Sequence, residues 1–252
     1  MINKKVNTVN GVVINVSPYK DESAIVSFIT EKGLFSVYVN NAYKQKNSLK
    51  PLLIPFNYLT LEYVESDEKF LLAKYTEIIK DYSTLLKSYK MSLFLQVLIQ
   101  IITLLYSYEN TFNLNSFLLI LDSVENNCDM LSLLLLFIGS IYKDLGLKQN
   151  VDSCVFCSNK KNIVSFSLDD GGFICYNCLT KKNSLLKKDN TDLFIFKYAF
   201  SNQITESLLH RKVPLDSGII ILKQISSYLQ EYFGVEKFTS IDTFINYLIN
   251  KK

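Results

Sequence analysis

A chain of 252 residues that is 48% hydrophobic, with only eight glycines and four prolines, holds enough material for a real core and is not a disordered polypeptide. Its formal charge of +3 is too small to announce a nucleic-acid binder, so any such case must rest on local patches. Lysine supplies all but one of the 27 cationic residues, Arg211 being the exception, so lysine stands where arginine would otherwise serve.

Met1–Asn10 lacks the apolar run of a secretory signal. Residues 1–80 have strand texture. Thr8–Val16 is rich in β-branched residues and ends at Ser17–Pro18. Ser23–Thr30 follows, then a turn at Glu31–Lys32–Gly33, then Leu34–Val39. Phe56–Glu65 and Phe70–Ile79 make a hairpin across Ser66–Asp67–Glu68–Lys69. Five strands with a long connection between the third and fourth predict a small closed barrel. An OB-fold is the leading reading and an SH3-like barrel the alternative.

From Asp81 the period changes to that of helices. Ser83–Tyr106, Asn115–Val124 and Asp129–Leu145 are predicted helices, the last capped by Asp129 and stopped at Gly146. Met91–Tyr106 and Leu131–Tyr142 are apolar, but at 16 and 12 residues they fall short of the about 20 a bilayer needs. They read as core helices. Asp216 is placed to cap a helix running to Phe233 and ending at Gly234, and Ser240 to cap Ile241–Ile249. The expected fold class is α+β: an N-terminal OB-fold barrel over 1–80, then an all-helical domain over 81–252 interrupted by a ribbon over 152–180.

That ribbon carries the clearest chemistry. Cys154-x-x-Cys157 and Cys175-x-x-Cys178 are two knuckles with seventeen residues between them. A two-residue gap lets two sulfurs from one tight turn reach one ion, and two such turns complete a tetrahedron. Ile163, Val164 and Phe166 read as a strand, Asp169–Asp170–Gly171–Gly172 as a turn, and Phe173–Ile174 as the returning strand. The expected cofactor is a structural Zn2+ on Cys154, Cys157, Cys175 and Cys178. Disulfides and four unrelated buried cysteines are the alternatives, and disulfides are disfavoured because nothing else in the chain looks secreted. Four thiolates and a dication would bring the formal charge to +1. A catalytic zinc keeps an open position and often uses histidine, whereas this chain has one histidine, His210. Cys128, the fifth cysteine, reads as a small buried residue. Nucleotide-binding and hydrolase signatures are missing, so no enzymatic activity is expected.

Two basic surfaces are candidates for nucleic acid. The loop Asn40–Lys50 holds Lys44, Lys46 and Lys50, no acid, and Tyr43 as a stacking residue. Tyr38 is a second stacking candidate, because Leu34, Ser36 and Tyr38 alternate with the core-facing Phe35, Val37 and Val39. The alternative is a solvated loop with an ordinary lysine cluster. Around the ribbon stand Lys160, Lys161, Lys181, Lys182, Lys187 and Lys188, which either contact DNA or offset the zinc–thiolate charge. His210–Arg211–Lys212 forms a third cluster, best read as cations at a helix end.

The order of these parts resembles the bacterial recombination mediator family RecO. The resemblance rests on Gly11–Val12–Val13–Ile14, the turn Tyr19–Lys20–Asp21–Glu22, Ile25–Thr30 with Gly33, the basic loop from Tyr43 to Ser48, the four cysteines between helices, and the closing Tyr228–Gly234. The family's basic loop is a Gly-x-Arg-Arg-like run, where this chain has Asn41–Ala42–Tyr43–Lys44. The resemblance implies a non-enzymatic repair protein that binds single- and double-stranded DNA, anneals complementary strands and works with RecR. It further implies docking of the C-terminal tail of single-strand binding protein, indirect action on RecA, no membrane partner, and a cytoplasmic, nucleoid-associated location. For the tail, the apolar helices Met91–Tyr106 and Leu131–Tyr142, with Lys87, Lys90, Lys143 and Lys148 at their ends, are the expected pocket. A scaffold that binds only protein and an unrecognised metalloenzyme are the rival classes.

Overall fold

The computed structural model describes residues 5–66, 71–107, 113–181, 186–235 and 237–250. The chain divides into two compact units. One comprises Met1–Ser92 and Ile101–Leu114, the other Leu93–Gln100 and Asn115–Lys252.

In the first unit β1 (Val6–Tyr19), β2 (Ser23–Thr30), β3 (Gly33–Val39), β4 (Asn57–Glu65) and β5 (Leu71–Asp81) close a barrel in the order β1-β2-β3-β5-β4. Closure is made by a parallel bridge between Tyr38 of β3 and Leu72 of β5. A three-strand meander closed in this way is the five-stranded Greek-key pattern of an OB-fold. β1 runs past Ser17–Pro18, where the sequence predicted its end. Beyond Val12, β1 pairs with β2 and no longer with β4, so Pro18 lies where one flank needs no donor. The hairpin between β4 and β5 lies outside the described residues apart from Ser66.

Val13, Val26, Phe28, Val37, Val39, Leu59 and Leu61 fill the barrel. Ala42, Leu49 and Leu52 join them from the β3–β4 connection, which the sequence presented as polar. Lys50–Leu53 of that connection is a 3-10 turn. A second 3-10 turn, Ser83–Lys87, precedes α1 (Tyr89–Ser107), so the single helix predicted over Ser83–Tyr106 is broken at Ser88.

Helix α1 is 19 residues long. Its stretch Tyr89–Tyr106 is long and apolar enough to cross a membrane by length and composition, which corrects the shorter reading from sequence. Within the protein it serves as a core helix. Leu93, Phe94, Leu95, Val97, Leu98, Ile101, Ile102 and Leu105 are all buried. Its Gln100 Oε1 accepts the Ser240 backbone N–H and hydroxyl.

The second unit contains α2 (Leu114–Glu125), α3 (Met130–Asp144), the hairpin β6 (Ile163–Ser167) and β7 (Gly172–Cys175), the short α4 (Tyr176–Leu179), α5 (Asn190–Ala199), the short α6 (Glu206–Leu209), α7 (Leu215–Phe233) and α8 (Thr239–Asn250). Asp129 caps α3 by accepting the Ser132 N–H at 2.9 Å, and Gly146 follows its end in the left-handed region at φ 74°. Residues 130–139 of α3 are buried on every side, as a helix without a polar face requires. Tyr142 donates its buried hydroxyl to the Ile225 carbonyl of α7 at 2.7 Å.

Two predicted caps are replaced. Pro214 is the N-cap of α7 and leaves Asp216 in the first turn, where a carboxylate still favours the helix dipole. Helix α8 begins at Thr239, so Ser240 is already helical and is committed to Gln100. Gly234 ends α7 at φ 63°, as predicted.

Candidate metal centre and nucleic-acid surfaces

The ribbon is tied to the residue run before it through Asn150. The Asn150 Oδ1 accepts the N–H groups of Asp152 and Ser153, turning the chain into the first knuckle. Its backbone pairs with the returning strand: Asn150 N–H donates to Gly171 O at 2.7 Å, and Phe173 N–H donates to Asn150 O at 2.9 Å. Gly172 sits at φ 144°, and a Cβ there would stand 2.7 Å from the Asn150 nitrogen, so only glycine fits the bridge.

The first knuckle is closed by Cys154 N–H to Asn159 O at 2.8 Å and Ser158 N–H to Cys154 O at 2.9 Å. Ser158 takes the left-handed conformation at φ 57°. The second knuckle rides on α4, whose Tyr176 N–H donates to Asn162 O at 2.9 Å. The hairpin rests on the helical unit through Phe166, whose ring stacks on Phe196 of α5 at 4.0 Å and on Phe200 at 5.6 Å.

This framework brings the four Sγ atoms of Cys154, Cys157, Cys175 and Cys178 within 4.8 Å of one another. Cys157 and Cys175 are 3.6 Å apart, against about 3.8 Å for the edge of a tetrahedron with metal–sulfur bonds of about 2.3 Å. All five cysteines are free. The donor set fits a tetrahedral, thiophilic ion. Among the described residues no histidine or carboxylate joins the cluster.

The crowding of the four thiols also sets their protonation. Burial pushes the Cys154 thiol up, but N–H groups of Cys175, Phe156 and Cys157 and the Cys157 thiol outweigh it and bring Cys154 down to about 6. The hydrogen bond with Cys157, then desolvation and the neighbouring sulfurs, push Cys178 up to about 12. Asn159 and Cys178 lower Cys157, yet Cys175, burial and Cys154 carry it upward overall. Four thiolates gathered within 4.8 Å would concentrate negative charge that a bound cation offsets.

Lys160, Lys161 and Lys181 are exposed at the ribbon, and Lys182 lies outside the described residues. On the barrel, Lys44, Lys46 and Lys50 are exposed and Tyr43 is 51% exposed. Lys44 Nζ lies 3.1 Å from the Glu22 carboxylate. Tyr38 is half-buried, donates its hydroxyl to Ser23 at 2.7 Å and meets the Tyr19 ring edge-on at 5.9 Å.

Sequence reasoning missed the residue that shapes this loop. Asn47 donates to the carbonyls of Asn41 and Ala42 and accepts the Leu49 N–H at 2.8 Å. An asparagine between lysines was the available signal. It also missed Tyr19 and Lys20, whose ammonium lies 5.4 Å from the Tyr19 ring, although the turn itself was noticed.

Cys128 is half-buried, with its Sγ 3.4 Å from His210 Nδ1. The His210–Arg211–Lys212 cluster follows the end of α6, and Arg211 lies over the Phe194 ring at 5.1 Å. The apolar side chains of α3 are spent in the core, so the surface expected there for a peptide tail is not on offer.

Comparison with known proteins agrees with this arrangement. The family model described as "Recombination protein O N terminal" matches residues 4–80, and that described as "Recombination protein O C terminal" matches residues 87–240. The chain is 29% identical over 178 residues to a "DNA repair protein RecO" of Bacillus pumilus (strain SAFR-032), covering 68% of each chain. It is 24% identical over 238 residues to that of Mycoplasma mycoides subsp. mycoides SC, covering 90% of this chain and 92% of the other. It is 34% identical over 109 residues to that of Thermoanaerobacter sp. (strain X514), covering 42% of each. Because the two matches follow one another along nearly the whole chain, this protein belongs to the recombination protein O family, RecO.

Proposed function

We propose that this chain is a recombination mediator of DNA repair. It binds single- and double-stranded DNA, anneals complementary strands and, with RecR, helps load RecA onto single strands covered by single-strand binding protein. The observation that carries the reading is the family match over both the barrel and the helical part. The chemistry supports it. Lys44, Lys46 and Lys50 on an anchored loop supply salt-dependent affinity for phosphates, and Tyr43 and Tyr38 supply stacking. The four-cysteine site takes a structural zinc. With four sulfurs closing the shell it stabilises the ribbon and runs no reaction. The place of action is the cytoplasm, at the nucleoid.

One observation favours a second reading, a scaffold that binds protein without DNA: Lys44 is already paired with Glu22. Anisotropy titration of single-stranded and duplex oligonucleotides at two salt concentrations separates the two. A mediator binds both, with affinity that falls steeply with salt, and speeds annealing of complementary strands coated with single-strand binding protein. Salt-independent or absent binding, with no annealing, favours the scaffold. Titration with RecR and with the acidic tail peptide tests the partners.

A further inference from the structure

Within the second unit, and apart from the ribbon, a sulfur and an imidazole nitrogen stand together. Cys128 lies in the turn between α2 and α3, and His210 follows the end of α6. Their Sγ and Nδ1 atoms are 3.4 Å apart across 82 positions of sequence. Backbone holds both partners in place. Cys128 N–H donates to Ser123 O at 3.0 Å, Asn127 before it takes the left-handed conformation at φ 59°, and Asp129 after it caps α3. His210 N–H donates to Glu206 O at 3.3 Å as α6 ends.

The separation suits a shared ion. A tetrahedral cation with metal–sulfur bonds of about 2.3 Å and metal–nitrogen bonds of about 2.0 Å sets a sulfur–nitrogen edge of about 3.5 Å. A thiol–imidazole hydrogen bond spans the same distance, and the space beside the pair distinguishes the two. Cys128 and His210 both line a cavity of about 330 Å³, together with Asp122, Asn126 and Glu206. At about 30 Å³ per water, that is room for an ion and its waters. The His210 side is exposed, so the cavity fills from solvent. Among the described residues no carboxylate closes on the pair, so two coordination positions are left to water.

We propose that Cys128 and His210 form a second metal site, open and exchangeable, for a thiophilic divalent cation such as zinc. Binding replaces the thiol proton, which leaves to solvent, and Nδ1 turns its lone pair from the thiol to the ion. Thiolate and dication together carry +1, and Glu206 in the same cavity supplies the carboxylate that offsets it. Two protein ligands hold the ion less tightly than the four sulfurs of the ribbon. The bound ion ties the α2–α3 turn to the end of α6 and so stabilises the helical unit by mass action.

The test uses the full chain, with zinc titrated against a chromophoric chelator. Wild type should take up one weakly held equivalent that C128S and H210Q both lack. Cobalt added to the zinc-loaded chain should give a sulfur-to-cobalt charge-transfer band in wild type and none in C128S. Excess zinc should raise the Tm of wild type above that of either variant, while melts without added metal coincide, which shows that the variants fold. Equal zinc uptake by all three chains overturns the proposal, and so does a weak equivalent that persists in either variant, which marks an adventitious ion. C175S should keep the weak equivalent, so failure of the ribbon site is read separately from failure of this one.

Discussion

Gly139 offers the sharpest test of how the helical unit is built. It lies in α3 where that helix meets the end of α5. A Cβ added there would overlap the Ala199 carbonyl oxygen and stand 2.6 Å from its carbonyl carbon. Carbon atoms pack at about 3.5–4.0 Å, so roughly 1 Å of separation must be found. The obstacle is backbone, and the Phe200 N–H holds it by bonding Phe196 O at 3.0 Å, so it cannot swing aside as a side chain would. Overpacking of this kind costs about 1–3 kcal/mol or more, and replacing a helical glycine by alanine returns at most about 1 kcal/mol.

Gly218 of α7 is the internal control. Its added Cβ would meet a Leu131 methyl at 2.9 Å and a Val213 methyl at 3.0 Å, both at the ends of side chains. We expect G139A to lose about 2 kcal/mol, a fall in Tm of about 4–8 °C, and G218A to stay within about 1 kcal/mol of wild type. Circular dichroism melts of both variants supply the numbers. Because α5 also carries Phe196, stacked on Phe166 of the ribbon, G139A should release zinc to a chromophoric chelator faster than G218A. A G139A melt equal to wild type, or a larger loss in G218A, refutes the packing argument.

Replacing Cys175 by Ser should bring metal content below one zinc per chain by elemental analysis and loosen the ribbon, while the barrel keeps its own unfolding transition. Neutralising Lys44, Lys46 and Lys50 together should reduce the slope of log affinity against log salt by roughly 2–3 units, and an unchanged slope moves the main DNA contact away from the barrel loop. Glu22→Gln frees Lys44 from its 3.1 Å ion pair and should raise oligonucleotide affinity up to about fivefold at low salt. Burial pushes Tyr106 up to about 12, and Tyr142 and Tyr198 are raised as well, while tyrosines in the unfolded chain titrate near 10. The unfolded state therefore sheds these protons first. Stability from this source is complete below about pH 10 and declines as pH rises through 10–12, which urea midpoints at pH 8 and pH 11 will reveal.

What could be read from the sequence was whatever a short local pattern determines. Alternating β-branched residues gave five strands, Asp129 and Gly146 gave the ends of α3, and the paired C-x-x-C knuckles gave the thiol cluster. What could not be read depends on residues distant in sequence. Ser240 looks like a cap until Gln100, 140 positions earlier, claims its hydroxyl. Ala42 and Leu49 sit among polar neighbours, and only closure of the barrel gives them a core to enter. Gly139 interrupts an apolar helix for a reason that exists only once α5 crosses it. Within the candidate sites, the lysines were visible as charge, but the Glu22 partner of Lys44 and the loop-shaping role of Asn47 required the fold.

A net charge of +3 conceals an uneven distribution of charge, which bears on the proposed DNA binding. Residues 40–50, 153–168 and 171–188 hold nine lysines and no acid. The other 207 residues carry 18 cations against 24 acids, a formal charge of −6. Exposed charges more than about 8 Å apart are largely screened at physiological salt, so a polyanion approaching either basic segment responds to nearby lysines more than to the total. If the chain binds DNA as proposed, an acidic remainder would disfavour the same polyanion elsewhere. Such a molecule should therefore bind nucleic acid with a salt dependence set by a few local contacts, and its affinity should fall far more on losing three loop lysines than on losing any three lysines of the acidic remainder.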